Sequence, residues 1–181
     1  MTAATRTDRP APVWVRCIRG ISTVMAIPAA IACMGLMIHV IGEVLGRNLF
    51  NHPLPGTLEI TQYWWMMTIV FLAFGYTQLR GDHIRATVIT EMLDARWERA
   101  AQVLALFLLG GFAVFLGVHG WTSAVSSMEI RDTSTGAQPI PIWPMVFAVP
   151  LGCAALTMQC VASIYAVATG RNPASHAEEL I

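Results

Sequence analysis

Residues 60–79 carry no charged side chain. The run opens after Pro53, Pro55, Gly56 and Glu59 and closes on Arg80, Gly81, Asp82 and His83. A helix of this length, at about 1.5 Å per residue, extends about 30 Å, the hydrocarbon thickness of a bilayer. Polar signatures therefore sit at the two rims of a membrane span. Three further long apolar runs accompany it, at 18–45, 100–125 and 142–168. Four such runs use most of the 181 residues, 55% of which are hydrophobic and 12% charged, and leave no room for a separate soluble domain. Because the bilayer core offers no water to backbone amides, each span must satisfy its hydrogen bonds internally, so the spans are expected as helices.

Net charge is zero, but it is segregated, and all eleven cations are arginines. Arg6, Arg9, Arg16 and Arg19 precede the main part of the first run, Arg80, Arg85, Arg96 and Arg99 lie between the second and third, and Arg171 follows the fourth. Only Arg47 and Arg131 fall on the other side. The positive-inside rule then places both termini and the middle loop in the cytoplasm. Aromatic rings favour the headgroup level. Trp14 and Trp97 fall at the inner rim, and Trp64, Trp65, Trp121 and Trp143 at the outer one.

The arginine-rich start followed by Ala30, Ile31, Ala32 and Cys33 looks faintly like a cleavable leader. The apolar run continues to Leu45, too long for a leader, so the segment reads as an uncleaved span. Cys17, Cys33, Cys153 and Cys160 show no metal-ligand spacing and read as small buried apolar residues.

The expected architecture is an all-α integral membrane protein with four transmembrane helices, at about 18–46, 57–79, 95–126 and 141–168, forming one domain over 18–168. Residues 1–17 and 169–181 are cytoplasmic tails. Pro28 and Pro150 are expected to kink the first and fourth spans. Thr57 reads as the N-cap of the second span, with Glu59 complementing the helix dipole in the first turn. In the segment 83–93, Ile84, Val88, Ile89 and Met92 form one apolar stripe with Arg85 and Glu91 off it. That pattern is too polar to cross a membrane and is expected to lie flat in the cytoplasmic interface.

Several features in order resemble the small membrane subunit of tripartite ATP-independent periplasmic (TRAP) transporters, the DctQ-like family. They are Arg47-x-x-Phe50, Pro53-x-Pro55-Gly56-Thr57-x-Glu59, Gly75, Arg80-x-x-His83-Ile84, Ile140-Pro141-x-Trp143 and Pro150-x-Gly152. The resemblance runs from about residue 40 to 165, and it is the ordered set, rather than any one piece, that carries it. It implies a bacterial inner-membrane scaffold subunit that packs on a separate large transport subunit. That partner would be driven by sodium and fed carboxylate-type solutes by a periplasmic solute-binding protein. The small subunit would hold no substrate itself, and the flat helix would brace it against tilting.

Ionisable groups near membrane depth default to functional candidates. Glu43 and Glu59 are each placed to pair with Arg47 or with an arginine of a partner. Arg47, Glu59, Arg80, His83, Glu43 and Arg131 are the candidate structural or partner-interface residues. No catalytic residue, metal site or cofactor is expected. No Ser-His-Asp or Cys-His arrangement and no glycine-rich phosphate loop appears, and the arginines cluster only at rims, which points away from an enzyme and from a nucleic-acid binder. Two alternatives stand beside the transporter reading. His39 and His119, on different spans, would suit axial ligation of a b-type haem in a quinone-linked anchor subunit. A generic helper subunit of another membrane complex is the second. Ala113-x-x-x-Gly117 is a small-xxx-small pattern that by itself does not say which face meets a partner.

Overall fold

A computed structural model describes residues 12–51, 55–80, 95–136 and 139–169. The expected interfacial segment 83–93, His83, and residues 1–11 and 170–181 of the two tails lie outside these residues, whereas residues 13–17, expected in the first tail, are already helical. The helices are α1 (Val13–Leu49), α2 (Thr57–Glu59), a π-helical stretch Ile60–Met66, α3 (Met67–Arg80), α4 (Ala95–Glu129), α5 (Trp143–Val146) and α6 (Ala148–Ala168). Among the described residues there is no strand, only an isolated antiparallel bridge between Thr133 and Pro141.

Among the described residues, three helical stretches are long and apolar enough to cross a membrane: Val13–Leu49, Ala100–Glu129 and Trp143–Ala168. Residues 57–80 are helical from end to end but in three pieces. The π stretch is what divides them, and nothing in the apolar periodicity anticipates it. Chain punctuation is local. Pro12, with φ −56°, accepts from the amides of Val15 and Arg16 and starts α1. Gly56, at φ 76°, starts α2 from a left-handed conformation that a side chain rarely tolerates. It therefore takes the N-cap position expected for Thr57.

The two helix prolines behave differently. α1 runs through Pro28 without a break. In the fourth run the break falls at Phe147, between α5 and α6. Pro150 has no N–H to donate to the Val146 carbonyl, so the ladder opens one turn before the proline. Helical pairing resumes where the Leu151 amide donates to Phe147 O at 3.3 Å.

Glycine contacts fix the packing. A Cβ added to Gly35 of α1 would meet the Trp65 ring at 2.6 Å, and one on Gly75 of α3 would meet Ser22 Oγ of α1 at 3.0 Å. Moving up α1 thus means moving down residues 57–80, so the two are antiparallel. The Cβ added to Gly75 would also meet Ala155 Cβ at 3.1 Å, and Gly152 lies directly against the Phe71 backbone, so α3 and α6 run parallel. Gly110, Gly117 and Gly120 of α4 face Cys160, Cys153 and Val149 of α6, an antiparallel pair. The resulting order is α1, the 57–80 helix, α6, α4.

α6 is the interior helix. Ten of its 21 residues are buried, against four of 37 in α1. The buried set is small: Gly152, Cys153, Ala155, Cys160, Ala162 and Ser163 are typical. Large apolar side chains point outward instead, including Ile27, Ile31, Phe107, Phe112 and Phe115. Without a hydrophobic driving force between helices in lipid, close approach and van der Waals contact must hold them, and small residues permit both. Ala113 packs with Leu156 and Cys160, flanked by Phe74 and Leu109. The Ala113-x-x-x-Gly117 pattern therefore faces α6 inside the bundle. Cys153 and Cys160 are buried as expected, whereas Cys17 and Cys33 lie exposed on α1, a correction that follows from its flanking position.

Candidate functional site

The described parts of two inter-helix loops, 50–51 with 55–56 and 130–136 with 139–142, lie at one end of the bundle, called here the loop end. There the sequence concentrates prolines, hydroxyls and carboxylates, and the structure ties them together. The Thr57 hydroxyl donates to Glu43 Oε2 at 3.0 Å, joining the loop end of α1 to the start of α2. Glu59, in the first turn of α2, directs its carboxylate at Gly136, where any Cβ would overlap Oε1. The second loop folds back on itself: the Ser134 amide donates to Ile140 O at 2.8 Å and the Ile142 amide to Asp132 O at 3.1 Å. Trp64 Nε1–H donates to Pro141 O at 3.1 Å and pins this loop to the π stretch.

The π stretch matters to this arrangement. Two adjacent indoles within it have different tasks, Trp64 at the loop and Trp65 at α1. The Trp64 carbonyl accepts from Thr68 Oγ1 at 2.7 Å, and Thr68 also reaches Met145 Sδ of α5 at 3.6 Å. Trp65 goes deeper than the rim expected for it, because its ring packs on Gly35 near the middle of α1. Single-stretch π geometry recurs at functional positions in helices. Thr57, Trp64, Trp65 and Gly136 are site residues that the sequence reading did not assign. The aromatic pair near the start of the charge-free run was the visible signal, but its π geometry was not.

The other candidates fall as follows. Arg47 is exposed in the last turn of α1. Arg131 is exposed at the turn after α4, with φ 48°, and the neighbouring Asp132 amide donates to Ser127 O at 2.9 Å. Arg80 is the last residue of α3, at the opposite end. Glu43, Glu59 and Arg131 thus share the loop end, and Arg80 does not. Among the described residues no group of three or more His, Cys, Asp or Glu is placed to hold a metal ion.

A family model described as "Tripartite ATP-independent periplasmic transporters, DctQ component" matches residues 36–170. The chain belongs to the DctQ family. No curated protein sequence matches it at a significant level. Membership makes this DctQ protein a small component of a TRAP transporter, from a family of transporter components rather than enzymes, and fits a multi-pass membrane protein. The haem alternative fails on both counts. The family is not a redox anchor, and His39 and His119 stand on α1 and α4, which flank opposite sides of the α3–α6 pair. His119 is exposed, edge-on to Phe115 with ring centroids 4.5 Å apart.

Proposed function

We propose that this DctQ protein is the static scaffold subunit of a sodium-driven, binding-protein-dependent transporter of carboxylate-type solutes. In this reading it has four spans, residues 57–80 being the second, and both termini are cytoplasmic. It packs on a separate large subunit that carries the solute, and its loop end faces the periplasm. The nine-to-two split of arginines supports that orientation.

One observation carries the scaffold reading. The central seam between α3 and α6 is closed to backbone contact at Gly152 and Phe71, while the bulky apolar side chains of α1 and α4 point away from it. A subunit that moved solute would need a polar path and a seam able to open. A scaffold needs a closed interior and large outward faces for lipid and for a partner. The test is uptake by the reconstituted large subunit with sodium and binding protein present, with and without this chain. Uptake is expected only with both membrane subunits, and full uptake by the large subunit alone would overturn the reading.

The tied loop end supports a second role, as part of the surface that receives the periplasmic binding protein. A loop already ordered by Trp64 and by its own backbone bonds loses less entropy on docking. Single cysteines at Asn51 and Thr135 test it. Crosslinks to the binding protein during transport are expected, and efficient crosslinks to the large subunit alone would leave only scaffolding. The stripe over 83–93 supports a flat bracing helix, which Ile84→Asp with Val88→Asp should unseat from the membrane or from the partner.

A further inference from the structure

Four buried side-chain atoms near the terminal end of the bundle have no protein partner: Arg19 Nε, Ser22 Oγ, Gln78 Oε1 and Gln159 Oε1. Three of these residues are almost fully enclosed, with Ser22 at 1%, Gln159 at 3% and Gln78 at 8% exposure. They come from three different helices, and the packing brings those helices to one point. Gly75 of α3 touches both Ser22 of α1 and Ala155 of α6.

From that junction, Gln78 is three residues further along α3 and Gln159 four further along α6. Positions three and four apart share a helix face. α3 and α6 run parallel, so both glutamines lie one turn beyond the junction in the same direction. α1 runs the other way, and Arg19 is three residues before Ser22, which is the same direction in space. One turn is about 5 Å along the axis. Arg19, Gln78 and Gln159 therefore surround a common axis just below Ser22. Further toward the terminal end, Trp14 of α1 meets Tyr165 of α6 edge-on, with ring centroids 5.1 Å apart, and closes the space from that side.

We propose that α1, α3 and α6 close around bound water at this node. The chemistry of the four atoms selects the occupant. The two carboxamide oxygens call for donors, the Arg19 Nε–H calls for an acceptor, and the Ser22 hydroxyl can take either. A metal cation would find the oxygens but sit beside a guanidinium with no carboxylate among the four residues. An inorganic anion would satisfy Arg19 and the Ser22 hydroxyl but face the two carboxamide oxygens, which can only accept. Water supplies two donors and two acceptors, and buried waters typically make about three hydrogen bonds to otherwise unmatched groups. Unmatched polar groups at membrane depth are costly, so the node fixes the register of α1 against the α3–α6 pair only when it is hydrated.

The experiment is water-edited solid-state NMR on the full ¹⁵N-labelled chain in lipid bilayers. The side-chain amide signals of Gln78 and Gln159 are assigned by their loss in Gln78→Leu and Gln159→Leu. Should either variant fail to fold, Gln78→Asn and Gln159→Asn shift the same signals. Both side-chain amides are expected to take up water magnetisation several-fold faster than the buried Leu156 backbone amide. Uptake no faster than that of Leu156 would show a dry node in which the carboxamides pair with each other, and would overturn the proposal. Dephasing of Arg19 by lipid ³¹P would place a headgroup phosphate at the site and overturn water as its occupant.

Discussion

Gly152→Ala tests the closed seam most directly. A Cβ at this position would lie 2.6 Å from the Phe71 carbonyl carbon and 2.8 Å from Phe71 Cβ, and would overlap the carbonyl oxygen. Carbon atoms at rest stand about 3.5–4.0 Å apart, so α3 and α6 must separate by about 1 Å locally. The obstacle is backbone and cannot swing aside as a side chain would. Overpacking of this kind costs about 1–3 kcal/mol, and the upper part of that range applies where nothing flexible can yield. Alanine returns up to about 1 kcal/mol through helix propensity. The net loss is about 2 kcal/mol, close to thirtyfold in the unfolding equilibrium. Reversible unfolding of the detergent-solubilised chain by added SDS, followed by tryptophan fluorescence, reads this out. Gly111 and Gly20 serve as controls because, beyond their own stretch of helix, no atom lies within 4 Å of their added Cβ. Gly111→Ala and Gly20→Ala should be neutral or slightly stabilising. Gly75→Ala should fall between, since Ser22 Oγ and Ala155 Cβ need give only a few tenths of an ångström. If Gly152→Ala unfolds together with Gly111→Ala, the closed seam does not exist as described.

Three other outcomes follow from the geometry. Trp64→Phe removes the bond to Pro141 O, worth about 1 kcal/mol, and should speed amide exchange at Ser134 and Ile142 without changing exchange in α6. A maleimide soluble in the detergent micelle should modify Cys17 and Cys33 in the folded chain but reach Cys153 and Cys160 only after denaturation, with mass spectrometry counting the adducts. Arg131→Glu at the exposed loop end should slow uptake chiefly at low salt and leave the binding protein's affinity for solute unchanged, because exposed charges act mainly on the rate of encounter.

Much of the architecture was legible in the sequence because a bilayer leaves few choices. Charge-free runs such as 60–79 declare helices, and Pro53, Pro55 and Gly56 declare a turn. What stayed hidden depends on contacts between runs. Residues 60–66 carry no composition that separates π from α, since both bury the same apolar side chains. Trp64 and Trp65 in that stretch find their partners, Pro141 O and Gly35, on other parts of the chain. Thr57 looked like an N-cap, but Gly56 supplies the required left-handed turn and frees the Thr57 hydroxyl for Glu43. His39 and His119 looked like a pair only because two histidines on two spans carry no record of which helices adjoin. The interior position of α6 was partly readable after all. It is the span richest in Ala, Gly, Ser and Cys on two faces, the composition a helix needs when neighbours press on both sides.

That composition also bears on why a transporter component should be built this way. The bundle keeps its small residues inside and its Ile, Met and Phe outside, so stability within the chain comes from backbone proximity rather than from interdigitated bulk. Backbone contacts such as that of Gly152 with Phe71 are short-ranged, and a shift of about 1 Å forfeits much of their attraction. Such a seam is either closed or lost, with little compliance between. On the proposed scaffold role, a partner that moves solute would push against this chain, and a compliant support would absorb the displacement. A helix layer with an all-or-none seam, tied at its loop end by Trp64 and by Thr57 with Glu43, would transmit the load instead. On this argument, loosening the seam with Gly152→Ala should lower the rate of coupled uptake even where assembly with the large subunit is retained. An assembled Gly152→Ala complex that transports at the full rate would show that stiffness is not what the small subunit contributes.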